Sequence, residues 1–368
     1  MKMSKDLKYW LAINKIDGIG PLNFKKLYKH FNTMDQVWKA NKSTLIKSGL
    51  SEKLIIKFLD QKNKICPDKE LSDLKKYQIQ AISIKNDLYP NLLKQIYDPP
   101  PVLYFKGCLP KNTDLTLSVV GSRDYSDYGK TVCQKLIKDL MDYKIKIISG
   151  LAIGIDTIAH QECLKSFNQT FAVLGCGLNQ IYPSSNYNLA QKIINYGGLI
   201  SEHPPTADPF KKQNFHARNR IISGLSRGVL IIEAKEKSGS LISANHGLTQ
   251  NREVFAVPGS IFSLKSKGSH KLIQQGAKLI DDFKDILEEL NIRPKNPKKN
   301  KFLESKIQLL NPLQQKIIKE IKDDIKNFEK LKRALNLDSS KLLSNLTELE
   351  ISGLIINRQG NYYFNKNP

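Results

Sequence analysis

The chain has 368 residues, which is more than one compact core usually holds and predicts two or three domains. Hydrophobic residues make up 40% and charged residues 25%, as in ordinary globular proteins, and no stretch approaches the roughly 18 apolar residues of a membrane span. The formal net charge of +23 attracts polyanions and acidic membrane surfaces, although an AT-rich genome that favours lysine codons produces the same excess.

The cysteines and the N-terminal segment predict the compartment. The five cysteines are odd in number and include no CxxC pair, which is typical of reduced thiols that pack in the interior of cytosolic proteins. Residues 1–15 offer a short apolar patch between lysines, which is not the pattern of a signal peptide. We therefore expect a soluble, cytoplasmic protein with no membrane partner.

Residues 1–66 predict a small helical domain with two apolar faces, one beginning at Leu7 and Trp10 and the other at Phe24 and Leu27. Between these faces, residues 16–21 place Gly-x-Gly at the start of a helix. This is typical of helix-hairpin-helix or SAM-like modules, in which free backbone amides at the helix start bind a DNA phosphate. The alternative is a turn that connects two helices and contacts nothing.

Residues 67–292 alternate apolar runs with helical stretches, which predicts an α/β domain with a doubly wound, mostly parallel sheet. The predicted strands are Leu117–Gly121, Ile145–Ser149, Phe171–Gly175, Leu199–Glu202, Val229–Glu233 and Val254–Val257. Ligands of such sheets bind at the carboxyl ends of the strands. The residues that follow these strands are therefore the candidates for a binding site.

The first two of these strand ends carry small residues and one arginine. Gly121, Ser122 and Arg123 follow the first strand, where a glycine permits a tight turn, a hydroxyl can donate, and an arginine suits a bidentate phosphate contact. Ser149 and Gly150 end the second strand and lead into a helix whose free amides would attract an anion. We predict that these five residues bind an anionic ligand.

The segment after the fourth strand combines an aromatic residue with several cations. It contains Lys212, Phe215, Arg218, Asn219 and Arg220 at the start of a helix that faces the same crevice. An aromatic face can stack on a base while arginines neutralise phosphates, which is the combination that binds single-stranded nucleic acid. The alternative buries Phe215 and pairs an arginine with Glu202 or Glu233, and both descriptions can hold at once.

The end of the chain predicts a linker and a second module. Residues 293–304 are rich in lysine and proline, which indicates a solvated basic linker. Residues 305–368 predict a winged-helix domain with three helices, of which the third is capped by Asp338, followed by a two-stranded wing.

The motifs of several enzyme classes are missing from the sequence. There is no Gly-x-Gly-x-x-Gly after the first strand, no P-loop and no Gly-x-Ser-x-Gly elbow, which argues against a dinucleotide cofactor, an ATPase and an acyl transferase. Asp156 and His160 share one helical face at metal-ligand spacing, but no third ligand is evident, so an orienting hydrogen bond is favoured. We predict no catalytic residue, no metal and no cofactor.

Taken together, these motifs resemble the DNA processing protein A (DprA/Smf) family over about residues 10–290. The matching segments are Ile16–Gly20, Tyr89–Leu93, Asp98–Gly107, Gly121–Arg123, Ser149–His160, Tyr182-Pro183, Phe215–Arg220, Glu233, Ser238–Ser240 and Pro258-Gly259. The resemblance implies an extended Rossmann-like domain that binds single-stranded DNA. It also implies a homodimer that loads a RecA-type recombinase during natural transformation.

The resemblance also implies individual roles. Arg123 contacts phosphate, Phe215 stacks on a base, and Lys212 lies in the same pocket. The chain departs from the family at His216, where the family has a proline, and this change bears on the pose of Phe215.

Two other functions compete with this one. The first is a Rossmann-like nucleoside-monophosphate phosphoribohydrolase, but its Pro-Gly-Gly-x-Gly-Thr loop is missing, and residues 258–260 are not equivalent to it. The second is a protein-interaction scaffold, which gives no reason for arginines and glycines to converge at strand ends.

Overall fold

The computed structural model describes residues 6–208, 212–292, 307, 310–323, 326–358 and 360–365. The chain divides into two compact units, Met1–Arg293 and Pro294–Pro368. Among the described residues, no helix is both long enough and apolar enough to cross a membrane.

The larger unit begins with six helices that pack on the sheet. They are α1 (Leu7–Asn14), α2 (Pro21–His30), α3 (Met34–Lys39), α4 (Lys42–Ile46), α5 (Glu52–Lys62) and α6 (Pro67–Lys76). Trp10 stacks on Phe24 with ring centroids 5.1 Å apart. The Asn14 amide donates to the carbonyl oxygen of Glu202 at 3.2 Å, which ties α1 to the strand end that precedes the candidate site. The helices therefore share one hydrophobic core with a face of the sheet.

The sheet has nine strands and is mostly parallel. The strands are β1 (Gln80–Ser83), β2 (Val102–Gly107), β3 (Thr116–Val120), β4 (Lys146–Ser149), β5 (Thr170–Val173), β6 (Gly198–Ser201), β7 (Gly228–Ile231), β8 (Glu253–Ala256) and β9 (Lys278–Leu279). Their order is β1-β2-β6-β5-β4-β3-β7-β8-β9. All pairs from β6 to β9 are parallel, whereas β1 and β2 extend one edge in antiparallel fashion. The predicted large, mostly parallel sheet is thus confirmed, and β1, β2 and β9 add to the six predicted strands.

Helices cover both faces of this sheet, which explains why its strands are continuous apolar runs. The helices are α7 (Asn91–Lys94), α8 (Asp127–Met141), α9 (Ile155–Lys165), a short 3₁₀ turn (Ser184–Asn186), α10 (Tyr187–Tyr196), α11 (Lys212–Gly224), α12 (Ser240–Thr249), α13 (Lys267–Gln274) and α14 (Phe283–Glu289). Successive residues of a strand point to opposite faces. Accordingly, Ile147 and Ile148 of β4 belong to two different hydrophobic cores.

The smaller unit has its own core, which includes Ile317, Leu331 and Leu346. Its elements are α15 (Pro312–Asp323), β10 (Lys326–Asn327), α16 (Phe328–Leu335), α17 (Ser339–Ile351), β11 (Ile355–Arg358) and β12 (Asn361–Phe364). The three strands form an antiparallel sheet in the order β10-β12-β11. The Asp338 carboxylate accepts from the Ser340 amide at 3.0 Å and so caps α17 where the sequence predicts it.

Candidate nucleic-acid interface

The topology of the sheet predicts a ligand-binding crevice at its carboxyl edge. Strand β3 lies between β4 and β7, so the connections that leave β3 and β7 run to opposite sides. Ligands of open α/β sheets bind outside the carboxyl ends of the strands at such a switch point. The loop after β3 borders this switch point, and the loops after β4, β5 and β6 follow it along the same edge, so these four loops form the candidate site.

The loop after β3 presents an arginine to solvent. The Ser122 side chain is buried, and its hydroxyl donates to the carbonyl oxygen of Asp124 at 2.7 Å, which shapes the turn. The Arg123 side chain is exposed, and within the described parts of the chain no hydrogen bond or ion pair engages its guanidinium. Ser122 thus holds the turn while Arg123 remains available to a ligand.

A glycine lets the loop before α9 contact the loop after β3. Gly154 has φ +94°, and a Cβ atom built on it would lie 2.4 Å from the carbonyl oxygen of Ser122 and 2.7 Å from Cα of Arg123. The amide of Ile155 then donates to the same Ser122 oxygen at 3.2 Å. The two loops are therefore in direct contact, and the position of Arg123 depends on Gly154.

The polar groups of Ser149 and Gly150, at the end of β4, form hydrogen bonds within the protein. The hydroxyl of Ser149, which is fully buried, donates to the carbonyl oxygen of Val119 at 2.7 Å. The Gly150 amide donates to Oδ2 of Asp156 at 3.0 Å. Burial raises the pKa of Asp156, and the charge of Arg218 opposes that rise. Both predicted residues therefore organise the crevice floor and present no free polar group to solvent.

Arg218 lies beneath the crevice and joins α11 to the sheet. Its guanidinium donates to the carbonyl oxygen of Gly150 at 2.6 Å and to that of Val173, although the side chain is buried. Burial lowers the pKa of Arg218 to about 10, the charge of Asp156 raises it, and the charge of Arg123 lowers it further. At neutral pH Arg218 is therefore a buried cation close to the exposed Arg123.

Phe215 lies one turn before Arg218 and is half-buried. The Arg218 Cζ atom is 5.9 Å from the Phe215 ring centroid, and the Tyr182 ring centroid is 5.6 Å from it. A Cβ atom on Gly175, which follows β5, would come within 3.2 Å of the Phe215 ring, so this glycine leaves room for the ring. Tyr182 is exposed, so the two rings form a partly accessible aromatic surface.

The remaining predicted residues of α11 differ in accessibility. Arg220 is buried and forms ion pairs with Glu202 at 2.5 Å and with Asp98 at 3.1 Å. The Asn219 amide donates to the carbonyl oxygen of Gly239 at 3.4 Å. Of the two arginines on this helix, Arg220 is thus the one that carboxylates neutralise. Its pairing with Glu202 is one of the two pairings that the alternative interpretation of the sequence offered.

Two further predicted positions concern the start of α11. The helix begins at Lys212, whose side chain lies outside the described part of the chain. His216, which replaces the family's proline, is exposed and lies within the continuous helix.

His160 is a buried neutral imidazole. The Thr170 hydroxyl donates to the carbonyl oxygen of Ile147 at 2.9 Å, so the 2.7 Å contact between Thr170 Oγ1 and His160 Nδ1 is donated by the imidazole. Nε2 of His160 has no hydrogen-bond partner among the described residues. Burial first and the charge of Arg218 second lower the pKa of His160 to about 3. Across the described residues no three His, Cys, Asp or Glu side chains form a metal-binding group.

Glu233, which follows β7, is occupied by a structural contact. Its carboxylate accepts from the Ser126 amide at 2.9 Å and from the Ser126 hydroxyl at 2.5 Å. The Ser126 hydroxyl also accepts from the Gly129 amide at 3.1 Å, so the pair caps α8. Buried in this way, Glu233 supports the fold and is poorly placed to act on a substrate.

Sequence reasoning missed two groups that surround the site. Asp98 forms the second ion pair of Arg220. The Asp124 carboxylate forms ion pairs with Lys235 at 3.2 Å and with Lys265 at 3.1 Å. These partners lie more than 100 positions apart in the chain, so no local pattern indicates them.

Comparison with known proteins gives a consistent result. The family model described as DNA recombination-mediator protein A matches residues 80–291. "Protein Smf" of Synechocystis is 38% identical over 291 residues, which are 78% of this chain and 73% of that protein. The solved structure of DNA processing protein A (DprA) from Streptococcus pneumoniae has a TM-score of 0.66 and 38% identity, covering 78% of this chain and 99% of that one.

A second solved structure that resembles this chain is described by its DNA binding. It reports the single-stranded DNA binding mode of DNA processing protein A from Helicobacter pylori, with a TM-score of 0.52 and 30% identity. The match covers 58% of this chain and 95% of that one.

Gly154→Ala should destabilise the larger unit by at least about 1 kcal/mol, because alanine disfavours positive φ and its Cβ would meet Ser122. Gly239→Ala is the matched control, since Gly239 has φ −62° and open space around it. Urea unfolding checks both variants. Equal stability of Gly154→Ala and the wild type would show that the contact between the two loops is not tight.

The stability of the chain should depend on the protonation of His160. Its pKa is lower in the folded chain than in the unfolded chain, so its contribution to stability is complete above about pH 6.5 and is lost as the pH falls toward 3. Between about pH 7 and pH 5 the wild type should lose about 2 kcal/mol more than His160→Gln, whose amide can still donate to Thr170. Urea unfolding of both proteins at the two pH values measures the difference. The same loss in both would contradict the assignment.

Proposed function

This chain belongs to the DNA recombination-mediator protein A family, and on that premise we propose that it binds single-stranded DNA in the crevice at the carboxyl edge of its sheet. Proteins of this family, which are named for DNA processing, are DNA-binding recombination mediators and not enzymes. The chain is accordingly a DNA processing protein, and the nucleoside-monophosphate hydrolase is not favoured.

One arrangement carries the proposal. The buried Arg218 has the Phe215 ring at 5.9 Å, and the exposed Arg123 is close enough to lower its pKa. An aromatic ring beside two cations suits a strand whose bases are unpaired, because a ring stacks on the base and a cation neutralises the phosphate. The Helicobacter pylori relative, described as binding single-stranded DNA, supports the same ligand for this chain.

Roles follow for the residues of the crevice. We assign a phosphate contact to Arg123 and base stacking to Phe215, as the family resemblance implies. Lys212, which the resemblance places in the same pocket, is assigned a phosphate contact because it is a cation. Gly121, Ser122, Ser149, Gly150, Asn219 and Arg220 also belong to the proposed site. The contacts of Ser149, Gly150 and Arg220 favour a supporting role, since their polar groups are occupied within the protein.

The domain organisation is proposed from the sequence pattern, and the partners of the chain are proposed from the family resemblance. We propose that residues 1–66 form a SAM or helix-hairpin-helix-like domain, that residues 67–292 form the extended Rossmann-like domain, and that the linker spans residues 293–304. The helix and strand order of the smaller unit supports a winged-helix domain over residues 305–368. We further propose a cytoplasmic homodimer that loads a RecA-type recombinase onto the bound strand.

Substitutions in the crevice should separate the two kinds of contact. Arg123→Ala should lower the slope of log affinity against log salt by about 0.7 to 1 unit, because one phosphate contact is lost. Phe215→Ala should lose about 1–3 kcal/mol of stacking with little change in slope. Duplex DNA offers no unstacked base, so Phe215→Ala should weaken binding to oligo-dT far more than binding to a duplex. Salt titrations on both ligands measure these effects.

Arg227→Ala is the matched control for Arg123→Ala. Arg227 is exposed and directly precedes β7, so it lies at the opposite, amino edge of the sheet. Its loss should alter neither affinity nor slope beyond a general charge effect. Equal losses on single-stranded and duplex DNA for Phe215→Ala would mean that the ring only packs in the fold, and stacking would have to be abandoned.

Removal of residues 294–368 should leave most of the single-strand affinity intact. Helix α17 contains Lys341 and Asn345 but no arginine, and the Asn345 amide donates to the carbonyl oxygen of Lys341 at 2.7 Å. This helix is therefore a poor reader of a DNA groove. Oligo-dT binding of the shortened chain, which keeps the whole larger unit, provides the test. Abolished binding would transfer the DNA site to the removed residues.

A further inference from the structure

The β8–α13 loop, residues 257–266, exposes three apolar side chains within four residues of the sequence. Phe262 is 90% exposed, Leu264 72% and Ile261 66%. Single exposed apolar residues are ordinary, whereas a cluster of them indicates a binding surface. The loop leaves β8 at the carboxyl edge of the sheet, which is also the edge that carries Arg123.

Three contacts fasten this loop to the segment that follows Arg123. The Lys265 ammonium lies 3.1 Å from Oδ1 of Asp124 and donates to the carbonyl oxygen of Tyr125 at 3.3 Å. The Tyr128 hydroxyl donates to the carbonyl oxygen of Pro258 at 2.7 Å. Both tyrosine rings are exposed. These contacts place the apolar loop next to the two rings and next to Asp124, the chain neighbour of Arg123.

The charge of this surface is positive. Lys235 and Lys265 share one carboxylate, that of Asp124, at 3.2 Å and 3.1 Å. Two ammonium groups on one carboxylate leave one positive charge, and Arg123, which has no acidic partner within the described parts of the chain, adds a second. The exposed Asp127, next to Tyr128, offsets one of them, so three cations and two carboxylates leave the surface with a net charge of +1.

We propose that this surface is a second subsite for the single strand, which takes nucleotides that extend past Arg123 on the side away from Phe215. This proposal rests on the function proposed above. Its residues are Arg123, Tyr125, Tyr128, Lys235, Phe262 and Lys265. The rings offer faces for unpaired bases, and the cations offer contacts for the phosphates between them, which is how extended single strands are held.

The charge of the surface argues against a second copy of the chain as its occupant. In a two-fold dimer a patch meets the same patch of the other subunit, so Lys235, Lys265 and Arg123 would face their own copies. Lysine is also depleted at the cores of protein interfaces. A surface that combines aromatic and basic side chains fits a single strand better, because a single strand offers both phosphates and unstacked bases.

The test compares two lengths of oligo-dT on the full chain. A short oligonucleotide of about 4 nucleotides fills the Phe215 pocket, and a long one of about 16 reaches the second subsite. Phe262→Ala should weaken the binding of the long oligonucleotide about tenfold and the binding of the short one less than about twofold. Phe215→Ala should weaken both. Phe167→Ala is the matched control, because this 53% exposed phenylalanine precedes β5 at the opposite edge of the sheet, and it should weaken neither.

The outcomes separate this inference from the function on which it rests. If the wild type binds neither oligonucleotide, the proposed function itself fails. If the wild type binds both and Phe262→Ala binds the long one unchanged, the second subsite is overturned. Equal weakening of both lengths also overturns it, because Phe262 would then belong to the first pocket. Light scattering gives a further outcome. If Phe262→Ala lowers the molecular mass of the particle, and the affinity for DNA falls only to the extent that the mass falls, the surface is an interface between copies of the chain and the second subsite is overturned.

Discussion

The buried guanidinium of Arg218 determines how helix α11 sits on the sheet. It donates to the carbonyl oxygens of Gly150 and Val173, which mark the carboxyl ends of two neighbouring strands. A charge is expensive to bury unless it is hydrogen-bonded, and the two carbonyl dipoles together with Asp156 supply that compensation. Because these partners are backbone atoms at the ends of β4 and β5, they anchor α11 to the sheet. Phe215, three residues earlier on the same helical face, is positioned with it.

The two buried arginines of α11 have different electrostatic effects. Arg220 is matched by the carboxylates of Glu202 and Asp98, so its charge contributes little beyond that cluster. Arg218 has carbonyl oxygens as its hydrogen-bond partners, and the buried Asp156 is the acidic group whose charge acts on it. The cations beside Phe215 are therefore Arg218, which is buried, and Arg123, which is exposed. The net charge of +23, which is spread over the whole chain, does not locate the site.

The sequence predicts the central sheet well because a parallel strand buried on both faces is a continuous apolar run. It misses β9, which has two residues, and the antiparallel pair β1 and β2, whose place at the edge depends on contacts with β6. The shared edge of the site residues follows from topology alone. Which arginine is structural does not, because the partners of Arg218 are 45 and 68 positions away. Burial and pairing of this kind arise when the chain folds and leave no periodic signal.

The internal use of polar groups bears on what the crevice can recognise. The hydroxyls of Ser122 and Ser149 and the amide of Gly150 are all engaged in holding the loops, so they are not available to read the edges of bases. A partly exposed ring pair and cations remain at the surface, and these contact the face of any base and any phosphate. On the proposed function, such a crevice binds single strands with little preference for sequence. A protein that must coat whatever strand it meets needs this property, and here it results from the same hydrogen bonds that hold the loops together.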